Sequence, residues 1–270
     1  MIKRDTTPMI KAIVFDYGQT LVDASAGFRM AERQARETLA ALLPVADDSF
    51  TQHYREVRSR FHAASNFSRV DMWQQALARY AVPIDAGRLE AMEREYWHLV
   101  RRHTRLFPEV LPVLHELSKR YRLAIISNTQ GERPSEAEVS ESGHPTHSNA
   151  VHTSEHRLFA HTDLSELFEY IIIAGENGIP AKPHPEPFLL CLREMGLRPE
   201  EMLYIGDDWH KDLLGAGGCG IRALWLQHHA VTRNWPVDAA SHNATVITSL
   251  EPLIDNTFMS DVDHIPIHHP

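Results

Sequence analysis

Lys11-Ala-Ile-Val-Phe15, followed at once by Asp16-Tyr17-Gly18-Gln19-Thr20-Leu21, is the stretch on which the reading of this chain turns. An apolar run without polar alternation is how a strand covered on both faces of a parallel sheet reads. Similar runs recur at Leu123-Ala-Ile-Ile126, Tyr170-Ile-Ile-Ile173, Met202-Leu-Tyr-Ile205, Ile221-Arg-Ala-Leu-Trp225 and Ala244-Thr-Val-Ile247. The stretches between them fit crossover helices. Pro108 to Lys119 sets Val110, Val113, Leu114 and Leu117 at helical spacing, and Pro187 to Met195 does so with Phe188, Leu189 and Leu192. This alternation predicts an α/β fold with a doubly wound parallel sheet.

Two departures interrupt the alternation. Residues 22–106 hold no convincing strand and read as helices over Phe28–Leu43, Ser49–Ala64, Val70–Tyr80 and Asp85–Arg102, with Pro44 and Pro83 at breaks. So long an excursion predicts an inserted helical cap, with residues 1–21 and 107–270 forming the core. Within that core, residues 131–152 are rich in Ser, Glu, Pro and His and read as a mobile surface loop. His144, His147, His152, His156 and His161 show no metal-ligand spacing with Cys or carboxylate, and the tail histidines read equally plainly.

Composition narrows the partners. Against 27 Lys+Arg stand 36 Asp+Glu, a net charge of −9, with no long basic stripe, so nucleic acid is not expected as a partner. With 43% hydrophobic and 23% charged residues the chain is ordinary globular material rather than a disordered one. No apolar run is long enough to cross a bilayer and the first residues carry no secretory pattern. The two cysteines, Cys191 and Cys219, form no disulfide framework. The expectation is a cytoplasmic protein without membrane contacts, monomeric or homodimeric.

Ligands of doubly wound sheets bind beyond the carboxyl ends of the strands. Asp16 follows the first strand, Ser127 and Asn128 the second; Lys182 lies in the loop after the third, and Gly206-Asp207-Asp208 follows the fourth, with Asp212 one turn on. Each has a plain reading alone: Asp16 and Ser127 as turn residues, Lys182 as a solvated lysine, Asp207 as a helix N-cap. All of them in this order at strand ends are hard to obtain by chance.

The order resembles the haloacid dehalogenase superfamily of aspartate-nucleophile hydrolases, over Ile10 to Leu253. Phe15–Leu21 is similar to its first motif, Ile126–Thr129 to its second, Ala181–Phe188 to its third and Ile205–Asp212 to its fourth, while the helical insert sits where the family carries its C1-type cap. The resemblance implies Mg²⁺-dependent hydrolysis of a small phosphorylated metabolite. Asp16 would become an aspartyl-phosphate, splitting one displacement into two. Mg²⁺ would be held by Asp16, the Gly18 carbonyl and Asp207. Lys182 and Ser127 would act on the phosphoryl oxygens, Asn128 would join them in binding phosphate, and Asp208 and Asp212 would support the metal ligands.

Gly18 departs from the pattern. Phosphatase members carry Asp there, which protonates the leaving group and activates water. A glycine cannot shuttle a proton, which withholds roughly 10²–10⁴-fold of acid–base catalysis. A leaving group stable without a proton (an acyl phosphate or anhydride) would tolerate this. Tyr17, His184, His210 or a cap residue would otherwise substitute. The alternative is a low-activity or non-catalytic phosphate-binding, regulatory protein. Dehalogenation of 2-haloacids ranks lower, since the clustered aspartates would be wasted in a metal-free site. Residues 21–106 contain no lysine, which excludes an imine-forming cap. The arginines of the insert, Arg29, Arg33, Arg36, Arg55, Arg58, Arg60 and Arg69, read as solvated helix faces, and Trp73 and Trp97 as its core.

Overall fold

A computed structural model describes residues 10–44, 47, 49–64, 66–129 and 164–269. The expectation of a loop at 131–152, with its histidines, lies outside the described residues. The chain divides into two compact units, whose described parts are 10–23, 106–128 and 164–269 in one, and 24–44, 47, 49–64 and 66–105 with Thr129 in the other.

The first unit is built on β1 (Ala12–Phe15), β4 (Arg122–Asn128), β5 (Tyr170–Ala174), β6 (Met202–Gly206), β7 (Arg222–Leu226) and β8 (Val246–Ile247). They form one sheet in the order β5-β4-β1-β6-β7-β8, with every pairing parallel. Short strands β2 (Val22–Asp23) and β3 (Arg105–Leu106) mark where the chain leaves and re-enters this unit. Alternate residues of the apolar runs feed two cores. Ile13 and Phe15 join Ile125, Ile171 and Ile205 on one face; Ala12 and Val14 join Ile126, Ile172 and Tyr204 on the other. Helix α5 (Val110–Ser118) covers the first face through Val110, Val113, Leu114 and Leu117, and α6 (Glu186–Met195) covers the second through Phe188, Cys191 and Leu192. Both faces are therefore dry, which is why the strands lack polar alternation.

From β1 the chain winds outward through β4 and β5, then returns to place β6 on the other side of β1. The direction of winding reverses beside β1, and the carboxyl ends of β1, β4 and β6 meet where an open α/β sheet leaves a crevice.

The strands match the apolar runs to within a residue or two at each end, and two of the differences matter here. Ser127 and Asn128 belong to β4, because the ladder continues through Ser127 opposite Ile173 and Asn128 opposite Ala174. The last strand is only Val246–Ile247, matched by the short stretch of β7 opposite it.

The second unit is helical: α1 (Ser25–Ala40), α2 (Phe50–Ala63), α3 (Arg69–Ala78) and α4 (Ala86–His103). Ser68 and Asp85 cap α3 and α4 by accepting the N–H groups of Asp71 (3.2 Å) and Arg88 (3.1 Å). Trp73 and Trp97 are buried here with Phe50, Tyr54 and Tyr96, as expected of core residues. Helices α1 and α4 touch at Gly27, where a Cβ would stand 2.6 Å from the Val100 carbonyl oxygen. Arg69 corrects the solvated-face reading: it is buried, 3.9 Å from Glu32 and over the rings of Tyr96 and Trp97.

Candidate active site

Asp16 is carried at the tip of β1, its N–H bonded to the Ile205 carbonyl (2.8 Å) as the ladder runs out. The chain then turns sharply: Leu21 donates to the Tyr17 carbonyl at 2.9 Å and Gln19 to Val22 at 2.8 Å, with Gln19 held at φ 62°. A non-glycine residue in the left-handed region is strained, and such strain gathers at functional turns. The turn aims Thr20 back at Asp16, its hydroxyl 3.4 Å from Oδ2.

Lys182, buried in the loop between β5 and α6, projects its ammonium into four oxygens: Asp16 Oδ1 (2.8 Å), Asp212 Oδ1 (2.7 Å), the Tyr204 hydroxyl (2.8 Å) and the Ile126 carbonyl (2.9 Å). Burial alone would lower the lysine's pKa, but the carboxylates of Asp16 and Asp212 outweigh it and hold the proton on. Asn128 fixes the lysine's backbone. Its Oδ1 accepts the Lys182 N–H at 2.8 Å and its Nδ2 donates to the Lys182 carbonyl at 3.1 Å. One N–H of that amide and its oxygen are thus committed to the lysine backbone, while its second N–H has no such bond. Ser127 is buried beside it, with its hydroxyl 3.4 Å from the Asn128 carbonyl.

Beyond β6 the adjacent aspartates separate. Asp207 turns inward and is buried. Asp208 instead caps the π-helical turn Trp209–Leu214, accepting the N–H groups of His210 (3.1 Å) and Lys211 (2.9 Å) and pairing with the Lys211 ammonium at 3.2 Å. The N-cap is thus Asp208 rather than Asp207. Partial burial works against its charge, but Lys211 and the backbone donors win and its pKa falls. Asp212 accepts the Asp208 N–H at 2.9 Å and lies against Gly206, where a Cβ would come within 2.4 Å of its carboxylate.

Carboxylate oxygens of Asp16, Asp207 and Asp212 lie within 4.8 Å of one another, and among the described residues no other such trio of ligand side chains gathers as closely. Burial is the main reason both Asp207 and Asp212 resist ionising: Asp207 is pushed well above its ordinary value, with Asp16 and Asp212 adding repulsion, and Asp212 rises to about 6 despite Lys182. Tyr17, buried beside Asp16, is driven upward and keeps its proton. His184 and His210 are exposed.

A hydrolase family described as haloacid dehalogenase-like matches residues 10–220. The chain belongs to the haloacid dehalogenase-like hydrolases. It is 30% identical to a phosphoglycolate phosphatase of Photorhabdus laumondii, covering 81% of each chain. It is also 28% identical to a glyceraldehyde 3-phosphate phosphatase of Pyrococcus abyssi, covering 82% of each. Among solved structures, a 2-haloacid dehalogenase from Pseudomonas syringae pv. Tomato is similar with a TM-score of 0.60 and 25% identity, over 91% of this chain and 96% of that one.

Within this family fold, three residues of the site escaped the sequence reading. Thr20 stood inside the first motif without a role. Tyr204 reads as one more apolar strand residue, yet its hydroxyl lies 3.1 Å from the Ile126 carbonyl and 3.2 Å from Asp212. Arg233 lies in an irregular segment after β7 that carries no periodicity, and its Nη1 donates to Asp207 Oδ2 at 2.7 Å. No described helix is long and apolar enough to cross a membrane.

Proposed function

We propose that this hydrolase cleaves a small phosphorylated metabolite through an aspartyl-phosphate on Asp16, with Mg²⁺ as its cation and the helical unit as its cap. The observation that carries the reading is the contact between the Lys182 ammonium and Asp16 Oδ1, 2.8 Å long, inside a buried group of three carboxylates. The curated relatives named as phosphatases support it.

The residues fit a hard divalent ion. Their donors are carboxylate oxygens, and the upward push on Asp207 and Asp212 marks a surplus of buried negative charge that a cation relieves. Asp16, Asp207 and the Gly18 carbonyl would hold it; both oxygens of Asp212 are already engaged, by Lys182 and by the Asp208 N–H. When bound, the ion screens the approaching anions from each other and polarises the phosphoryl group. Lys182 neutralises the nucleophile and the transferring oxygens, and stays charged while doing so. Asn128 and Tyr204 set the position of that ammonium, Asp212 anchors it from the far side, and the Ser127 hydroxyl is the donor available at the end of β4 for a phosphoryl oxygen. Asp16 attacks phosphorus as the P–O bond to the rest of the substrate breaks, the leaving oxygen going as an anion or taking a proton from solvent. Water then cleaves the aspartyl-phosphate to phosphate and the restored carboxylate.

Gly18 favours a second reading, of weak turnover on alkyl phosphates. A Cβ at this position meets nothing within 4 Å, so the fold leaves room for the side chain this chain lacks. A panel of 2-phosphoglycolate, glyceraldehyde 3-phosphate, acetyl phosphate and p-nitrophenyl phosphate, with Mg²⁺ or EDTA, separates the readings. Phosphate release that needs the metal and vanishes in Asp16→Asn is the expected result. Release from acetyl phosphate alone assigns a substrate that needs no proton donor. Silence across the panel, or halide release from 2-haloacids in EDTA, overturns the phosphatase reading.

A further inference from the structure

Asp207 has a cation against it that the phosphatase reading does not use. Arg233 Nη1 donates to Asp207 Oδ2 at 2.7 Å, and Nη2 donates to the main-chain oxygen of the same residue, which also accepts the Trp225 indole N–H at 3.0 Å. The guanidinium carbon lies 4.1 Å from the centre of the Trp235 ring. The arginine side chain is 31% exposed and that of Asp207 only 9%, so the guanidinium stands between the carboxylate and water. Its carrier, the segment from Gln227 to Ala239, contains no helix or strand.

We propose that Arg233 is a stand-in cation: it occupies Oδ2 of Asp207, and a divalent ion that takes this oxygen must displace it. The inference rests on the metal-dependent reading above and extends it to the order of events at the site. The charge count supports it. Three buried carboxylates face the Lys182 ammonium and the Arg233 guanidinium, so without the arginine a single cation would serve all three. A fixed ammonium such as Lys182, enclosed by four oxygens, cannot be exchanged for an ion. A half-exposed guanidinium on an irregular segment can. Once released, its fork is free and its stacking on Trp235 is disturbed, so metal loading becomes visible at an indole.

The opposite role, a guanidinium that stays to orient Asp207, predicts the opposite sign for the change in Mg²⁺ affinity. Removing an orienting partner weakens a metal site. Removing a competing positive charge strengthens it. Titration calorimetry with Mg²⁺ alone, on the full chain and on Arg233→Gln and Arg233→Lys, decides between them. Arg233→Gln is expected to bind Mg²⁺ about tenfold tighter at low ionic strength, less so in high salt. Without metal it should melt at a lower temperature, and its gain on adding Mg²⁺ should exceed that of the natural protein. Arg233→Lys keeps the charge and should stay close to the natural affinity. Mg²⁺ should change the tryptophan fluorescence of the natural protein, and the change should shrink in Trp235→Phe. Unchanged or weaker Mg²⁺ binding in Arg233→Gln overturns the stand-in role. If the natural chain and both variants all fail to bind Mg²⁺, the metal-dependent reading falls with it, whereas binding that ignores residue 233 sinks only this inference.

Discussion

Both units of the molecule bury charge, and they do it differently. In the helical unit Glu32 is held by the hydroxyls of Tyr54 (2.7 Å) and Tyr96 (2.9 Å), with Arg58 at 3.5 Å and buried Arg69 at 3.9 Å. Each carboxylate oxygen has a donor, and positive charge matches or exceeds negative. At the carboxyl edge of the sheet, Asp16, Asp207 and Asp212 outnumber the cations that face them. A buried group whose charges match creates no demand for a further cation. An unmatched one stores a demand for positive charge, at a cost that the surrounding fold must offset.

The largest expected effect tests the unmatched side. Lys182→Met leaves the buried carboxylates facing each other and should lower turnover by about 10³-fold or more. It should also destabilise the metal-free protein by about 3–5 kcal/mol, measured by urea unfolding. Turnover that survives this change would put the site elsewhere.

Gly18→Asp sharpens the picture from the other direction. The position is open, so the variant should fold with little change in melting temperature. Hydrolysis of alkyl phosphates should rise by roughly 10²–10⁴-fold if the missing proton donor is what limits it. A natural protein already as fast as the variant would show that another group does this work.

Glu32→Ala tests the matched side. It leaves Arg69 buried without its acid and should cost about 3–5 kcal/mol in chemical denaturation, while Mg²⁺ affinity stays within twofold or so. A large drop in Mg²⁺ affinity would make the two clusters one system.

The smallest effect is a slope with pH. An acid whose pKa is raised on folding binds more protons folded than unfolded, so metal-free stability falls as pH rises from about 4 through the Asp212 value of about 6. Mg²⁺ needs the same carboxylates ionised. The melting-temperature gain on adding Mg²⁺ should therefore shrink from pH 7 to pH 5, and calorimetry in matched buffers would reveal a constant gain if protons do not compete.

Much of this was legible in the sequence because strands dry on both faces cannot hide: Ile171 and Ile172 point to opposite cores and neither tolerates a polar residue. The clustering of Asp16, Lys182 and Asp207 was legible because strand ends, not side-chain details, bring them together. What stayed hidden depends on direction in space. Asp207 and Asp208 are neighbours of identical chemistry, and only the turn at Trp209 sends one inward and the other to a helix cap. Asn128 and Tyr204 act through contacts that span 54 and 78 residues. Arg233 belongs to a segment with no period to read.

Gly206 carries a further consequence. The carboxylate of Asp212 fills the space where any side chain at 206 would start, so the two positions can only be altered jointly. A mutational library across the strand ends should recover glycine alone at 206 for as long as aspartate is kept at 212. Laboratory evolution of new substrates would then have to proceed at positions such as 18, where an added side chain meets nothing within 4 Å.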